Sequence, residues 1–229
     1  MRAILLAAGF GTRLRPLTEK IPKCLVPIKG RPLLDIWLDN LIKNNIKPCL
    51  VNTHYLAKHV EHFIESSDYI DNVMLSHEEI LLGTAATLTK NLDYFEGEDG
   101  MLIHADNYSL FCIRKFVEAH YKRPKDCFIT ALGFRTENPS ACGIFRVNKD
   151  NIAIEFQEKN SKNIGNLANA AVYILSNEFQ EIFKRDFSGA IDFSSEVLPS
   201  FVKNIFVHET KELFLDIGTT DNYIKANKS

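Results

Sequence analysis

The chain has 229 residues, of which 45% are hydrophobic and 24% are charged, and this balance predicts a folded protein with a substantial core. The net charge of -2 and the pI of about 6.4 argue against a general nucleic-acid surface, which needs an excess of basic residues. No run approaches the ~18 consecutive apolar residues of a membrane span. The length fits one large α/β domain better than two small ones, so we expect a single domain over 1–229.

The N-terminus is apolar from Ala3 to Leu6 and is typical of a buried strand. It leads directly into a candidate functional loop, which a cleaved signal peptide would remove, so we expect a cytoplasmic protein. The five cysteines form no C-x-x-C pair. Reduced thiols are therefore predicted, with neither a disulfide framework nor a zinc site. Cys24, which follows Lys23, is the thiol that we expect reagents to reach.

The first strand, predicted over 2–7, ends in a turn that contains Gly9 and Gly11. Glycine lets the backbone approach an anion closely, and the consecutive N–H groups of such a turn form an anion-binding nest. Arg13 and Lys23 follow, and the segment therefore predicts a polyphosphate site. It is not the dinucleotide fingerprint, because Leu14 stands where a third glycine is needed, and no Gly-Lys-Ser/Thr of a Walker loop follows.

Elements further along the chain predict a sheet flanked by helices. Helical spacing of apolar residues predicts a helix over 31–44, and two strand–helix–strand units in under about 80 residues predict a parallel sheet. Ligands of such sheets bind at the carboxyl ends of the strands, where the glycine turn lies. Strands are predicted over 46–52, 72–76, 100–105, 127–133 and 151–158, helices over 54–65 and 176–184, a turn and helix over 107–119, and a helix cap over 192–196.

The string from Leu6 to Pro27 resembles the signature L-A-A-G-x-G-T-R-L-x-P-L-T…P-K-x-L-x-P of the sugar-1-phosphate nucleotidyltransferases, or nucleotide-sugar pyrophosphorylases. The resemblance implies an α/β fold, a Rossmann-like mostly parallel sheet with flanking helices of the glycosyltransferase-A-like type. It implies transfer of a nucleoside monophosphate from an NTP to a sugar 1-phosphate, which gives an NDP-sugar and pyrophosphate for surface polysaccharide or glycoconjugate synthesis. The expected partners are these two substrates, without nucleic acid or membrane, and a homodimer is left open. The C-terminal β-helix domain of some relatives is not expected.

The segment 77–86 resembles the part of the family that holds the nucleotide base, with Gly83 and Thr84 in its centre. Glu78 stands where relatives that use thymidine or uridine triphosphate often carry glutamine. A carboxylate only accepts hydrogen bonds, and guanine offers adjacent N1–H and N2–H donors, so GTP and a mannose-1-phosphate guanylyltransferase-like activity are favoured. A uridylyl- or thymidylyltransferase remains the alternative, and Glu78 as a solvated loop charge remains the simpler interpretation.

Two aspartates are implied as magnesium ligands. Asp106 follows the strand predicted over 100–105 and corresponds to the family's G-D motif, with Ala105 in place of glycine. Asp216 opens the tail that resembles D-I-G-T-x-x-x-Y. Mg²⁺ is commonly held by one or two carboxylates together with phosphate oxygens and water. Nothing in the spacing brings these two residues together, so their pairing comes from the resemblance alone.

The sugar phosphate is implied to meet residues of several further motifs. Glu158 and Lys159 resemble the family's E-K-P motif, with Asn160 in place of proline. The sugar-phosphate residues implied in this way are Asn107, Gly143, Glu158, Lys159 and Asn169.

The implied chemistry needs no general base, because the attacking phosphate of a sugar phosphate, with its second pKa near ~6, is already mostly dianionic. Catalysis then consists of positioning and charge neutralisation by Arg13 and Lys23. A non-catalytic nucleotide-sugar-binding subunit is the alternative of another class, and the missing third glycine disfavours a dinucleotide oxidoreductase. The nucleotide-binding residues are expected to be Leu6, Ala7, Ala8, Gly9, Gly11, Thr12, Glu78, Gly83 and Thr84.

Overall fold

The structure is a computed structural model that describes residues 1–159 and 164–229. Its strands are β1 (Arg2–Leu6), β2 (Pro27–Ile28), β3 (Arg31–Pro32), β4 (Cys49–Thr53), β5 (Val73–His77), β6 (Gly100–His104), β7 (Asn107–Ser109), β8 (Ile129–Arg135), β9 (Ile144–Val147), β10 (Ala153–Gln157), β11 (Leu167–Leu175), β12 (Ile205–Glu209) and β13 (Phe214–Asp216). Its α-helices are α1 (Leu33–Lys43), α2 (Ala57–Glu65), α3 (Thr84–Asn91), α4 (Ile113–Lys122), α5 (Asn177–Asp186) and α6 (Thr220–Lys228).

The chain divides into two compact units. The first unit contains Met1–Leu81, Ile103–Leu110 and Leu213–Ser229, and the second contains Leu82–Leu102 and Phe111–Glu212.

The first unit carries the two strand–helix–strand units that the sequence predicts. β1 pairs with β4 and β4 pairs with β5, both in parallel. Three residues of β1, Ala3 to Leu5, are fully buried, as the apolar run predicts. α1 buries Trp37 and four leucines, and begins after Pro32, whose fixed φ suits a helix start. The strand and helix predictions here are confirmed to within a few residues at their ends.

The second unit is mainly antiparallel. β11 pairs in antiparallel fashion with β8 and β9, β10 pairs in the same way with β9, and β12 runs parallel to β8. A buried cluster of aromatic rings forms part of the core of this unit, with Phe179 in contact with both Phe193 and Phe201 at centroid distances of 6.0 and 4.9 Å. The predicted α/β class is confirmed, and the antiparallel pairs are the feature that the sequence did not predict.

One predicted element is wrong in its first part. Residues after Asp106 were expected to form a turn and a helix, but they first form β7, which pairs in antiparallel fashion with β13. Helix α4 starts only at Ile113. Within the described residues, none of the helices has the length and apolar character that crossing a membrane requires.

Candidate functional site

The glycine turn begins where β1 ends. The Ala7 N–H donates to Oδ1 of Asn52 at 2.7 Å, and the Ala105 N–H donates to the Leu6 carbonyl at 3.0 Å. The end of β1 is therefore fixed on one side by the end of β4 and on the other by the residue that follows β6. Polar residues at the carboxyl ends of neighbouring parallel strands thus meet at this edge, where ligands of such sheets bind.

Gly11 closes the turn in a conformation that favours glycine. Its φ is +62°, and a Cβ added there would lie 3.0 Å from Cγ2 of Thr18 and 3.1 Å from Cβ of Lys23. The fully buried Thr18 donates its hydroxyl to the Gly11 carbonyl at 2.7 Å. A side chain at residue 11 would therefore strain the backbone and push Lys23 away from its place. Gly9, by contrast, has open space around it.

Lys23 joins the two aspartates that the sequence could not bring together. Its Nζ lies 2.7 Å from Oδ2 of Asp106 and 3.2 Å from Oδ1 of Asp216. Nη2 of Arg13 lies 3.2 Å from the other oxygen of Asp216, Oδ2. The ammonium is almost completely buried, whereas the side chain of Arg13 is 66% exposed. The four charged groups form one cluster within the first unit.

The pairing of β7 with β13 explains why Asp216 lies near Asp106. In this short ladder Asp216 is opposite Asn107, the residue directly after Asp106. The carbonyl of Asn107 accepts from the indole N–H of Trp37 at 2.8 Å, and the carbonyl of Asp216 accepts from the Asn222 amide at 2.9 Å. Both strands are thus held by neighbouring elements of the same unit.

The charges around Asp106 favour its ionised form. Burial acts to raise the pKa of this carboxyl, but the neighbouring Lys23 ammonium and His104 oppose it, and the net effect lowers the pKa below its ordinary value of 3.8. The carboxylate therefore carries its charge at neutral pH, as a magnesium ligand must.

The two aspartates fit the donor set of a magnesium ion that binds together with phosphates. Both are carboxylates, and both approach one cation, the Lys23 ammonium. Within residues 1–159 and 164–229, no three His, Cys, Asp or Glu side chains gather as a metal-binding group. A cage made only of protein ligands is therefore absent from the described part, whereas two carboxylates completed by phosphate oxygens and water suit Mg²⁺.

Gly218 is packed against this cluster. A Cβ added there would lie 2.7 Å from Nη2 of Arg13 and 2.9 Å from Oδ1 of Asp216. Its backbone is not in the left-handed region, so the constraint is the space that Arg13 needs to reach the carboxylate. Gly218 is the glycine of the tail motif D-I-G-T-x-x-x-Y, and the sequence alone predicts no role for it.

Glu78 is buried, so its interpretation as a solvated loop charge is wrong. The residue is 2% exposed, and its Oε1 accepts from the Asn52 amide at 2.9 Å. Its backbone N–H donates to the Thr53 carbonyl at 2.8 Å, and its own carbonyl contacts Nδ1 of His54 at 2.8 Å. Contacts at the ends of β4 and β5 therefore hold this carboxylate in one place.

In the second unit, Gly83 and Thr84 pack against the segment at 191–192. A Cβ on Gly83, whose φ is +98°, would lie 2.6 Å from the Ile191 carbonyl oxygen. The Thr84 hydroxyl donates to Asp192 Oδ2 at 3.2 Å and accepts from the Phe193 N–H at 2.7 Å. Asp192 also accepts from the Ser195 N–H at 2.8 Å, which confirms the predicted cap.

Three of the predicted sugar-phosphate residues meet in the second unit. A Cβ on Gly143 would lie 2.5 Å from Oε2 of Glu158, and the Gly143 carbonyl accepts from the Asn169 N–H at 2.8 Å. The Asn169 amide donates to the Tyr173 hydroxyl at 2.6 Å. Burial raises the pKa of Glu158, Lys159 opposes this effect and Asp192 adds to it. A half-buried carboxylate beside a glycine and an amide is suited to accept hydrogen bonds from hydroxyls.

Lys159 is exposed, and its Nζ lies 3.6 Å from Oε1 of Glu158. Asn160, which replaces the family's proline, lies outside the described residues. Asn107 belongs to the first unit, where it is buried in β7.

A comparison with protein-family models shows the family of this chain. The model described as "Nucleotidyl transferase" matches residues 2–229. The chain belongs to the nucleotidyl transferase family. The family predicted from the string between Leu6 and Pro27 is thereby confirmed, and the match extends over both units.

Curated relatives of this nucleotidyl transferase differ in the nucleotide that their names give. A provisionally named mannose-1-phosphate guanyltransferase of Sulfolobus acidocaldarius is 29% identical over 98% of this chain and 62% of its own length. A glucose-1-phosphate adenylyltransferase of Mycoplasma mobile is 28% identical over 99% of this chain and 66% of its own length. The chain thus spans less than two thirds of the length of these relatives.

A solved structure shows the same fold. A provisionally named glucose-1-phosphate thymidylyltransferase of Bacillus anthracis, crystallised with a sucrose, superimposes with a TM-score of 0.87 at 19% identity. The alignment covers 100% of this chain and 94% of that one. At this identity the likeness establishes the fold of this nucleotidyl transferase and nothing about its substrates.

Four polar residues take part in these contacts without having been predicted from the sequence. Thr18 binds the Gly11 carbonyl, Asn52 binds Ala7 and Glu78, Tyr173 binds Asn169, and Asp192 binds Thr84. A signal was available for Asn52, because this polar residue follows the apolar run 49–51 near the carboxyl end of β4, the place where sheets of this class bind ligands. No comparable signal marked Thr18 or Tyr173.

Proposed function

We propose that this nucleotidyl transferase transfers a nucleoside monophosphate from an NTP to a sugar 1-phosphate, which gives an NDP-sugar and pyrophosphate. The observation that carries the proposal is the contact of one buried ammonium, that of Lys23, with both Asp106 and Asp216 beside the glycine turn. Cations and carboxylates at one strand edge are what a reaction between two phosphate groups requires. We further propose that residues 1–229 act as one domain in the cytoplasm.

The obstacle in this reaction is electrostatic. The attacking sugar phosphate and the triphosphate are both anions, so the site has to neutralise charge and align the reacting groups. Arg13 is mostly exposed, next to the glycine turn, and stabilises the charge of the departing pyrophosphate. Lys23 is fixed by two carboxylates and neutralises the phosphates at the reacting centre. The backbone of Gly9, Gly11 and Thr12 holds the triphosphate.

Asp106 and Asp216 would hold Mg²⁺. The ion would supply positive charge to the phosphate oxygens in the transition state. The lowered pKa of Asp106 keeps one of these ligands ionised throughout the neutral range.

We propose GTP as the preferred nucleotide, because Glu78 is a buried and firmly positioned acceptor that suits the paired donors of guanine. The name of one curated relative supports this preference. The name of another specifies an adenylyl group, so ATP joins UTP and dTTP as an alternative.

We propose that Gly143, Glu158 and Asn169 contact the sugar and that Lys159 meets its phosphate. We also retain Asn107 of the first unit as a sugar-phosphate-binding residue. The raised pKa of Glu158 reflects its burial, and such a carboxylate is a strong acceptor for sugar hydroxyls. These contacts do not identify the sugar.

A matrix of substrates tests the proposal. GTP, ATP, UTP and dTTP are each combined with the 1-phosphates of mannose, glucose, a heptose and an amino sugar, and pyrophosphate release is followed with and without a chelator. We expect release only when both substrates and a divalent cation are present, with GTP the best nucleotide and the NDP-sugar detected by mass spectrometry. If pyrophosphate release is clearly faster with UTP, dTTP or ATP than with GTP, the guanylyl preference is refuted, and the proposed reaction is not.

Two variants separate catalysis from binding. Lys23→Met removes the ammonium between the aspartates, and Lys43→Met is a matched control because Lys43 is an exposed residue of α1 that pairs with Asp39. We expect Lys23→Met to lose turnover and the control to retain it. Tight binding of an NDP-sugar without turnover of any substrate pair would instead favour the non-catalytic subunit.

A further inference from the structure

The Gly11 carbonyl is held by two hydrogen bonds on the buried side of the glycine turn. It accepts from the Thr18 hydroxyl at 2.7 Å and from the Leu14 N–H at 3.0 Å. Thr18 is fully buried and Leu14 is 3% exposed, whereas Thr12, the residue that follows the carbonyl, is exposed. The carbonyl oxygen therefore points into the first unit, to which all four residues belong.

The direction of this carbonyl determines the direction of the next N–H group. The peptide bond between Gly11 and Thr12 is trans. In a trans peptide the C=O and the N–H point in opposite directions. Because the Gly11 carbonyl is turned inward, the Thr12 N–H is turned outward, to the exposed side of the turn.

The Thr12 N–H belongs to a run of open backbone donors. Among the residues whose positions the structure describes, no backbone N–H from Gly9 to Arg13 donates to another group of the protein. The N–H groups of Ala7 and Leu14, which flank the turn, are both engaged. A series of open donors in a turn is what an anion-binding nest requires, provided that the donors point towards the anion.

We propose that Thr18 is a positioning residue of the triphosphate site, whose buried hydroxyl holds the Thr12 N–H in the direction of the phosphates. The inference rests on the proposed function, which places the departing pyrophosphate at Arg13, the neighbour of Thr12. The N–H therefore serves the β- and γ-phosphates. Thr18 acts through the peptide after Gly11 and does not itself touch the nucleotide, because its side chain is fully covered.

The flexibility of Gly11 is the reason that this peptide needs a second anchor. Glycine adopts several regions of φ and ψ at low cost, so the peptide that follows Gly11 can rotate unless its carbonyl is held. Without the Thr18 hydroxyl, only the bond from the Leu14 N–H remains. Rotation would turn the Thr12 N–H away from the phosphates and bring the negative end of the carbonyl dipole towards them.

Thr18 also fills the space beside Gly11, so its shape and its hydroxyl have to be tested separately. A Cβ added to Gly11 would lie 3.0 Å from Cγ2 and 3.2 Å from Cβ of Thr18. Thr18→Val keeps the branched shape and replaces the hydroxyl by a methyl group. Thr18→Ser keeps the hydroxyl without the methyl group, and Thr18→Ala lacks both. The natural chain against Thr18→Val, and Thr18→Ser against Thr18→Ala, thus each isolate the hydroxyl.

Equilibrium binding to the full chain measures the effect without knowledge of the sugar. Calorimetric titration with GTP, ATP, UTP and dTTP in the presence of Mg²⁺ identifies the NTP that the natural chain binds most tightly. The Kd values of this NTP and of its monophosphate are then measured for every variant. The base is the same in both ligands, so the ratio of the two Kd values isolates the contacts of the β- and γ-phosphates.

The variants without the hydroxyl should bind the triphosphate more weakly. We expect Thr18→Val and Thr18→Ala to raise the Kd of the NTP by about 10-fold, the scale of one hydrogen bond to a charged group, and that of the monophosphate by less than about 2-fold. Thr18→Ser should stay within about 3-fold of the natural chain for both ligands. Thr130→Val is the matched control, because it removes an equally buried hydroxyl, one that contacts His120 at 2.8 Å in the second unit, and should leave both Kd values unchanged.

The outcomes separate this inference from the proposed function. Natural affinity for the NTP in Thr18→Val, or the same loss in Thr18→Ser as in Thr18→Ala, overturns the inference and leaves the proposed function in place. An equal loss for NTP and monophosphate also overturns it, because such a loss reports a change of the whole site. Failure of the natural chain to bind any of the four NTPs overturns both. Thermal melting checks that each variant is folded, and the comparison of Thr18→Ser with Thr18→Ala decides the matter if Thr18→Val unfolds.

Discussion

Replacement of Gly218 by alanine tests whether the contact between Arg13 and Asp216 matters for turnover. The added Cβ would lie 2.7 Å from Nη2 of Arg13 and 2.9 Å from Oδ1 of Asp216. Ordinary contact needs about 3.4 Å or more, so Oδ1 of Asp216 must yield by about 0.5 Å, and the guanidinium must retreat by about 0.7 Å or rotate away. Because this is the far end of a flexible side chain that is 66% exposed, the retreat costs the fold little.

The expected result is a loss of activity without a loss of stability. A displacement approaching 1 Å at a positioned group can lower the rate by as much as ~10²-fold, so we expect kcat to fall by roughly 10- to 100-fold. The free energy of unfolding should change by no more than about 1 kcal/mol, because Gly218 is buried but the guanidinium that has to move is exposed. Steady-state kinetics of pyrophosphate release and urea denaturation measure the two quantities. Gly189→Ala is the matched control, because nothing lies within 4 Å of a Cβ at that position.

The kcat of the Arg13→Ala variant is the lowest value that we expect from displacement of the guanidinium. Loss of a group that stabilises transition-state charge typically lowers kcat by ~10²–10³-fold. If Gly218→Ala acts only by moving the guanidinium, the variant that combines Arg13→Ala with Gly218→Ala should have the same kcat as Arg13→Ala alone. Full turnover in Gly218→Ala would remove this contact from the mechanism, and global unfolding would refute the argument that only the arginine yields.

Three further predictions follow from buried ionisable groups. Lys23→Met should destabilise the fold by about 1–2 kcal/mol, below the usual cost of breaking a buried pair because both carboxylates are over a third exposed. Since the pKa of Asp106 is lowered from 3.8, this difference in urea denaturation should persist at neutral pH and shrink as the pH falls below 3.8, and a difference that stays constant with pH would contradict it. Burial lowers the pKa of His120, against the opposing effect of Asp99, so stability should fall as pH drops below 6.5, and His120→Gln should flatten that slope in thermal melts. Cys24 is buried and its thiol pKa is raised to about 12, contrary to the expectation that reagents reach it. Ellman's reagent should therefore label Cys24 only in denaturant, and rapid labelling of the native protein would be evidence against this burial.

The sequence predicted the opening of the first unit well because several signals coincide there. An apolar run precedes Gly9 and Gly11, cations follow, and helical periodicity then marks α1. Each signal is local, so neighbouring residues are sufficient to identify it. The structure brings Arg13 and Lys23 together with the implied aspartates, and their roles in turnover remain predictions.

The features that the sequence did not predict depend on contacts between distant segments. β7 and β13 have three residues each, too few for a period of two to be recognised, and their pairing joins segments about 100 residues apart. Without this ladder, the meeting of Asp106 with Asp216 could only be taken from the family resemblance. Glu78 was open to two interpretations for the same reason, since its carboxylate accepts from Asn52 of β4, a residue 26 positions earlier in the chain.

The pairing of cations with carboxylates in this cluster is compatible with a site that has to receive phosphates. Arg13 and both aspartates are more than a third exposed, and ion pairs exposed to this extent contribute only about 0–1 kcal/mol each. In the proposed reaction they would be exchanged for contacts with substrate at little cost, whereas Lys23, nearly buried between two carboxylates, would stay in place. We thus expect Arg13 to adjust to the substrate and Lys23 to be prepositioned. Arg13→Lys should then retain more activity than Lys23→Arg in the pyrophosphate-release assay, because a larger guanidinium does not fit the buried position.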